Sequence, residues 1–163
     1  TSDRAKEMIF NTLNSYFLDK KIKFSDLIVL DWFCGSGAIG LEFLSRGSKE
    51  IIFVDNSSES IELAKKNYFL FNESQKVKFL NIDYKELNFN KPKVNFFYLD
   101  PPYKKMDVKN ILISFSVRKI LANNVLGIIE LPIEEELNFI DGYEIWKKKK
   151  VSKSLFYFLE KLN

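Results

Sequence analysis

Residues 27–41 read Leu27-Ile28-Val29-Leu30-Asp31-Trp32-Phe33-Cys34-Gly35-Ser36-Gly37-Ala38-Ile39-Gly40-Leu41. Four apolar residues in a row are followed by an acid, and then by G-x-G-x-x-G at Gly35, Gly37 and Gly40. The apolar run is short and has no polar face, so it reads as a strand buried on both sides. Leu41 to Arg46 reads as a helix closed by Gly47. Glycines between a strand and a helix let the backbone turn sharply and approach a ligand without a Cβ clash. Strand, glycine turn and helix in that order form the first unit of a parallel α/β sheet.

The pattern repeats in both directions from this stretch. Upstream, Asp3 followed by Ala5-Lys6-Glu7-Met8-Ile9-Phe10 predicts a capped helix to about Phe17. Downstream, Ile51–Val54 reads as a second apolar strand, and Val77–Leu80, Val94–Leu99 and Val125–Leu131 as further strands. Helices are expected between them, from Ser57 or Ser58 to about Phe71 and from about Val108 to Leu121. Two β-rich segments, Gly142–Lys150 and Ser154–Leu159, close the chain as an antiparallel hairpin. The expected fold is α/β: a Rossmann-like, doubly wound, mostly parallel seven-stranded sheet with that hairpin at its end. No internal repeat or linker divides the chain, so residues 1–163 are expected to form a single domain.

Composition narrows the chemistry. The chain has 163 residues, 46% hydrophobic and 29% charged, which suits a folded soluble protein rather than a disordered one. It contains no histidine, so histidine general bases, Ser-His-Asp machinery and histidine metal sites are excluded, and no metal is expected. Cys34 is the only cysteine, which excludes an internal disulfide and points to a reducing, cytoplasmic setting. No run approaches 18 uncharged apolar residues, so no membrane partner is expected. The net charge of +3 permits a polyanionic partner without demanding one.

Two ligands compete for the glycine turn. A dinucleotide would set its pyrophosphate on the helix N-terminus. Asp31, just before the glycines, would repel a pyrophosphate but suits the cationic amino group of S-adenosylmethionine. Asp55 ends the second strand, where a carboxylate accepts hydrogen bonds from ribose hydroxyls. Asp83 follows the third strand, placed either to accept from an adenine amino group or to cap the next turn. The cofactor set expected is therefore Asp31, Phe33, Gly35, Ser36, Gly37, Gly40, Asp55, its neighbour Asn56, and Asp83.

The fourth strand ends in Asp100-Pro101-Pro102-Tyr103. That is where a parallel sheet presents its ligands. An aromatic amine is a poor nucleophile because its lone pair is delocalised into the ring. Two acceptors on its N–H groups, the Asp100 side chain and the Pro101 carbonyl, would turn the lone pair out. Neither proline carries an N–H, so the loop presents carbonyls with little freedom. Tyr103 can stack on an unpaired base. Asp100, Pro101, Pro102 and Tyr103 are the expected catalytic set.

With these residues in hand, the chain resembles class I S-adenosylmethionine-dependent amino-methyltransferases. In particular it resembles the RsmD family of bacterial 16S ribosomal RNA guanine-N2 methyltransferases. Thr1-Ser2-Asp3-Arg4 with Ile9-Phe10-Asn11 matches the family's opening helix, Asp31 to Leu41 and Leu44-Ser45-Arg46-Gly47 its cofactor loop, and Asp100 to Tyr103 its catalytic motif. Leu121-Ala122 and Ile129-Glu130 follow in the family's order. The resemblance implies methylation of guanine N2 in 16S ribosomal RNA, at the position-966 type of site, on the RNA or the assembling small subunit. It also implies a basic β-hairpin upstream of residue 1. Asn56 lies next to Asp55, where many relatives carry Glu at the ribose-binding position, so the acid is kept but shortened. A monomer is expected. The main alternative is a DNA adenine-N6 methyltransferase, which uses the same four-residue loop.

Lysines cluster at Lys20–Lys23, Lys104–Lys105 and Lys147–Lys150. Lys104 and Lys105 follow the catalytic loop and are placed for phosphate contacts. The other two runs are expected as solvated faces, with Lys147–Lys150 on an edge strand, its side chains alternating between faces and discouraging edge pairing.

Overall fold

The computed structural model describes residues 1–71, 76–91, 93–102, 106–117 (115–117 as backbone only) and 119–163. Tyr103, Lys104 and Lys105, singled out above, lie outside the described residues. The elements run α1 (Asp3–Lys20), β1 (Ile28–Trp32), α2 (Ala38–Ser45), β2 (Glu50–Asp55), α3 (Ser58–Tyr68), β3 (Lys76–Asn81), β4 (Val94–Leu99), α4 (Val108–Val117), β5 (Leu121–Pro132), β6 (Tyr143–Val151) and β7 (Ser154–Lys161). One seven-stranded sheet has the order β3-β2-β1-β4-β5-β7-β6. The first five strands are parallel, and β7 runs antiparallel to both of its neighbours. The expected sheet and hairpin are both present.

The inner strands of the sheet are covered on both faces, which explains the apolar runs of β1 and β2, whereas the edge strand β3 is partly exposed and carries Lys78. Along β4, Phe96 and Tyr98 pack with Phe10 and Phe17 of α1, Phe43 of α2 and Ala64 of α3. Phe97 and Leu99, pointing the other way, pack with Val108, Ile111 and Leu112 of α4. The period-two alternation of a strand thus feeds two apolar layers.

Three boundaries differ from expectation for local reasons. Ser2, not Asp3, caps α1, its hydroxyl accepting from the Ala5 N–H. Asp3 instead places its charge in the first turn, against the positive helix end. The same helix continues to Lys20 and stops where Lys21 turns left-handed, φ 57°. Finally, α4 ends at Val117, and the chain turns through Lys119 (φ 52°) into a β5 that begins at Leu121 rather than Val125. The early half of β5 forms because buried Leu121 pairs with buried Val94, across a shift in register before Phe96.

Candidate active site

The carboxyl ends of β1, β2, β4 and β5 bring four acids to one rim of the sheet. Asp31 is 2% exposed, and its Oδ2 accepts the Gly40 N–H at 2.9 Å. Asp55 is buried between two backbone donors, Gly35 N–H at 3.1 Å and Ser57 N–H at 2.9 Å. Its own carbonyl accepts from the Asn81 amide at 3.0 Å. Asp100 follows β4, half-buried, with Pro101 buried and Pro102 exposed beside it. Glu130 of β5 is 5% exposed.

Glu130 was not singled out as a site residue by the sequence, yet it is tightly held. Its Oε2 accepts the Tyr98 hydroxyl at 2.5 Å and the Thr1 hydroxyl at 2.9 Å, and the two hydroxyls lie 2.9 Å apart. Leu99 pairs with Ile129, so Asp100 emerges beside Glu130. The available signal was an acid inside the apolar run Val125–Leu131, where a charge survives only with partners.

Burial, reinforced by neighbouring charge, raises the proton affinity of Asp31 and Asp100. Burial pushes the Asp31 carboxyl up to about 8, opposed by the Gly40 N–H and reinforced by the charges of Asp100 and Asp55. Burial and then the Glu130 charge push Asp100 up to about 7. Tyr98 is held well above its ordinary range by burial and by Glu130 and Asp100. The Cys34 thiol is likewise pushed up by burial and by Asp31 and Asp55, which removes it as a nucleophile.

The glycine turn divides its labour. Gly35 (φ 52°) faces open space, so its bare backbone is available to a ligand. Gly37 (φ 78°) begins α2, with Ser36 held through its carbonyl by the Asn67 amide at 2.9 Å. Gly40 points inward instead of toward a ligand: a Cβ there would lie 2.3 Å from the Phe53 ring. Helix–sheet packing, not cofactor contact, requires glycine at that position. Phe33 adopts φ 58°, rare for an aromatic residue, with its ring in a triangle with Trp32 and Tyr84, 6.2 Å from each centre to centre while those two lie 6.0 Å apart. Asp83 caps the turn Tyr84–Glu86 by accepting the Lys85 N–H at 2.9 Å. Asn56 is exposed at the end of β2.

Among the described residues no lysine or arginine pairs with any of the four rim acids. A pyrophosphate would enter a field of like charge. A ligand carrying a sulfonium and an ammonium fits this field. The doubly wound sheet, the glycine turn and the Asp-Pro-Pro loop together define the class: an S-adenosylmethionine-dependent methyltransferase fold.

Residues 1–160 match the family model described as Conserved hypothetical protein 95, and the chain belongs to that family, the RsmD family. It is 32% identical over 169 aligned positions to the ribosomal RNA small subunit methyltransferase D of Buchnera aphidicola, covering 98% of this chain and 79% of that one. In structure it is similar to a candidate methylase of Haemophilus influenzae, at 25% identity and TM-score 0.80, covering 99% and 98% of the two chains. It also shares its fold with magnesium protoporphyrin IX methyltransferase from Synechocystis, solved with bound S-adenosylmethionine, at 12% identity and TM-score 0.69, covering 96% and 79%.

Proposed function

We propose that this chain, as a single-domain cytoplasmic monomer, methylates the exocyclic N2 of a guanine in small-subunit ribosomal RNA, using S-adenosylmethionine. The observation that carries the reading is Asp100-Pro101-Pro102 at the end of β4, beside the glycine turn and facing Glu130. Family membership directs it to ribosomal RNA.

When bound, S-adenosylmethionine supplies an electrophilic methyl group. Gly35 and Gly37 would lie against its amino-acid part, Asp31 near its ammonium and Asp55 by its ribose. Phe33 and Tyr84, with Asp83, would flank its adenine. The chain's own work falls on the amine. The Asp100 carboxylate accepts one N–H and the Pro101 carbonyl the other, which aims the lone pair outward. The Asp100 carboxylate then takes the proton that the amine sheds as its new bond forms. Glu130 keeps Asp100 basic enough for that step, and Tyr98 and Thr1 hold Glu130 in place. Tyr103 supplies the stacking surface for the base. Positioning and electrostatics carry the rate.

The test is methyl transfer to assembled small subunits, to naked 16S RNA and to duplex DNA, followed by nucleoside analysis. N2-methylguanine from RNA is the expected product. N6-methyladenine from DNA would replace this reading with the adenine one.

A further inference from the structure

The rim acids repel phosphate, so an RNA whose base reaches Asp100 must have its backbone anchored elsewhere. The sheet register shows where cations stand. Glu130 pairs with Phe156, and Phe156 with Lys149, so Glu130, Phe156 and Lys149 form one cross-strand row. Directly paired residues share a face. Lys149 therefore stands on the Glu130 side of the sheet, two strands away, at about 4.8 Å per strand. Lys147, paired with Phe158, lies on the same face one step further down. A register shift between Ile145 and Lys147 sets this alternation, with Trp146 as the extra residue.

These two lysines line a groove of about 500 Å³ between α1 and the edge strand β6. Its other wall is polar: Asn11, Thr12 and Ser15 of α1. Its floor is an aromatic stack, Tyr16 on Trp146, with ring centres 3.9 Å apart and planes within 14°. Tyr16 is fixed by its hydroxyl, which donates to Glu160 at 2.9 Å. On the opposite face Lys148 pairs with Glu136, whereas Lys147 and Lys149 are exposed and form no ion pair among the described residues. The Thr12 and Ser15 hydroxyls donate back to the Met8 and Asn11 carbonyls, which leaves the two unpaired lysines and the Asn11 amide to meet a sugar–phosphate backbone, while the aromatic floor suits a neighbouring base. The start of α1 is tied to Glu130 through Thr1, so the groove climbs along α1 to the catalytic rim.

We infer that the α1–β6 groove binds the backbone of the RNA substrate, with Lys147 and Lys149 on its phosphates, while the target base enters beside Asp100. This deepens the proposed function and rests on that reading. The site is distinct from the catalytic loop and engages segments flanking the methylated nucleotide.

The experiment compares Lys147→Glu/Lys149→Glu with Lys23→Glu/Lys49→Glu, a pair of the same charge change at the far end of the sheet, before β1 and β2. Binding of naked 16S RNA transcript is titrated across KCl concentrations, alongside methyl transfer and S-adenosylmethionine binding. The groove pair should weaken RNA binding about tenfold or more at low salt and flatten the log–log salt slope by about 1.4, two contacts at about 0.7 each. KM for RNA should rise while kcat and cofactor affinity hold. The far pair should match wild type. A groove variant with the wild-type salt slope, or equal weakening by both pairs, overturns the groove. Wild-type enzyme that binds the transcript in the groove-dependent way but methylates no guanine in either the transcript or assembled small subunits would instead overturn the functional reading.

Discussion

Both ends of the sheet bury acids, and they are treated in opposite ways. At the amino end, Glu50 opens β2 at 3% exposure and is ringed by Lys93 at 2.6 Å, Lys76 at 3.8 Å and Lys78 at 3.9 Å. At the carboxyl end, Asp31, Asp55, Asp100 and Glu130 share a rim with no pairing cation among the described residues. The first carboxylate is neutralised by the protein and supports the fold. The others lack such partners: burial makes Asp31 and Asp100 hold a proton, Asp55 leans on backbone donors and Glu130 on hydroxyls, so a cationic ligand supplies the countercharge that the chain does not. Buried acids mark a site where the chain leaves them without countercharge, not wherever they are buried.

Substitutions at the two poles should separate these roles. Asp100→Ala removes an acceptor used as the amine reacts, so single-turnover methyl transfer should fall about a hundredfold or more with cofactor affinity kept. Near-normal turnover would detach Asp100 from the chemistry. Asp55→Ala should weaken S-adenosylmethionine binding tenfold or more by calorimetry, since a charge-assisted bond contributes about 1.5–3 kcal/mol. Glu50→Gln should do the reverse. Its lysines are partly exposed and can rehydrate, so denaturant titration should show a loss of about 1–3 kcal/mol while kcat per folded molecule stays at wild type. Catalytic loss in Glu50→Gln without loss of stability would erase the contrast between the poles.

Two smaller effects follow from charge at the rim. Glu130→Gln keeps an acceptor for Tyr98 but deletes the charge that holds Asp100 up. The acid limb of the kcat profile should move down by about one pH unit. An unmoved limb would leave Glu130 a purely structural residue. Asp31 and Asp100 have folded proton affinities above those of the unfolded chain, up to about 8 and about 7. Their contribution to stability is therefore full below the ordinary carboxylate range and is lost as pH rises through 7 to 8. Free enzyme should melt lower at pH 9 than at pH 6. A cationic ligand favours the ionised acids, so cofactor binding at pH 7 should release up to about one proton. Comparing binding enthalpies in phosphate and Tris buffers measures that release, and equal enthalpies after correction for nothing but dilution would contradict it.

Much of this was legible locally. Apolar runs of four to six residues could only be strands covered on both faces, and the glycines after Asp31 could only be a turn. The Asp-Pro-Pro loop could only lie at a strand end, because proline cannot continue a ladder. Asp83 shows the limit of such reading. Its capping bond to Lys85 is a local fact, but whether its second oxygen faces a ligand depends on elements far along the chain.

The order of strands, helices and turns, and the residues that end each parallel strand, came from the sequence by itself. Side-chain periodicity and backbone freedom act over a few neighbouring residues and need no knowledge of the rest. Tertiary structure alone decided which ends meet. Glu130 finds Thr1 across 129 positions and Tyr98 across 32, through a crossover and a register that no local pattern encodes. It also assigned Gly40 to packing against Phe53, and it let one extra residue at Trp146 choose the face on which Lys147 and Lys149 stand. A strand's side chains alternate strictly, so a single inserted residue reverses every face beyond it, and only pairing with β7 shows where that insertion falls.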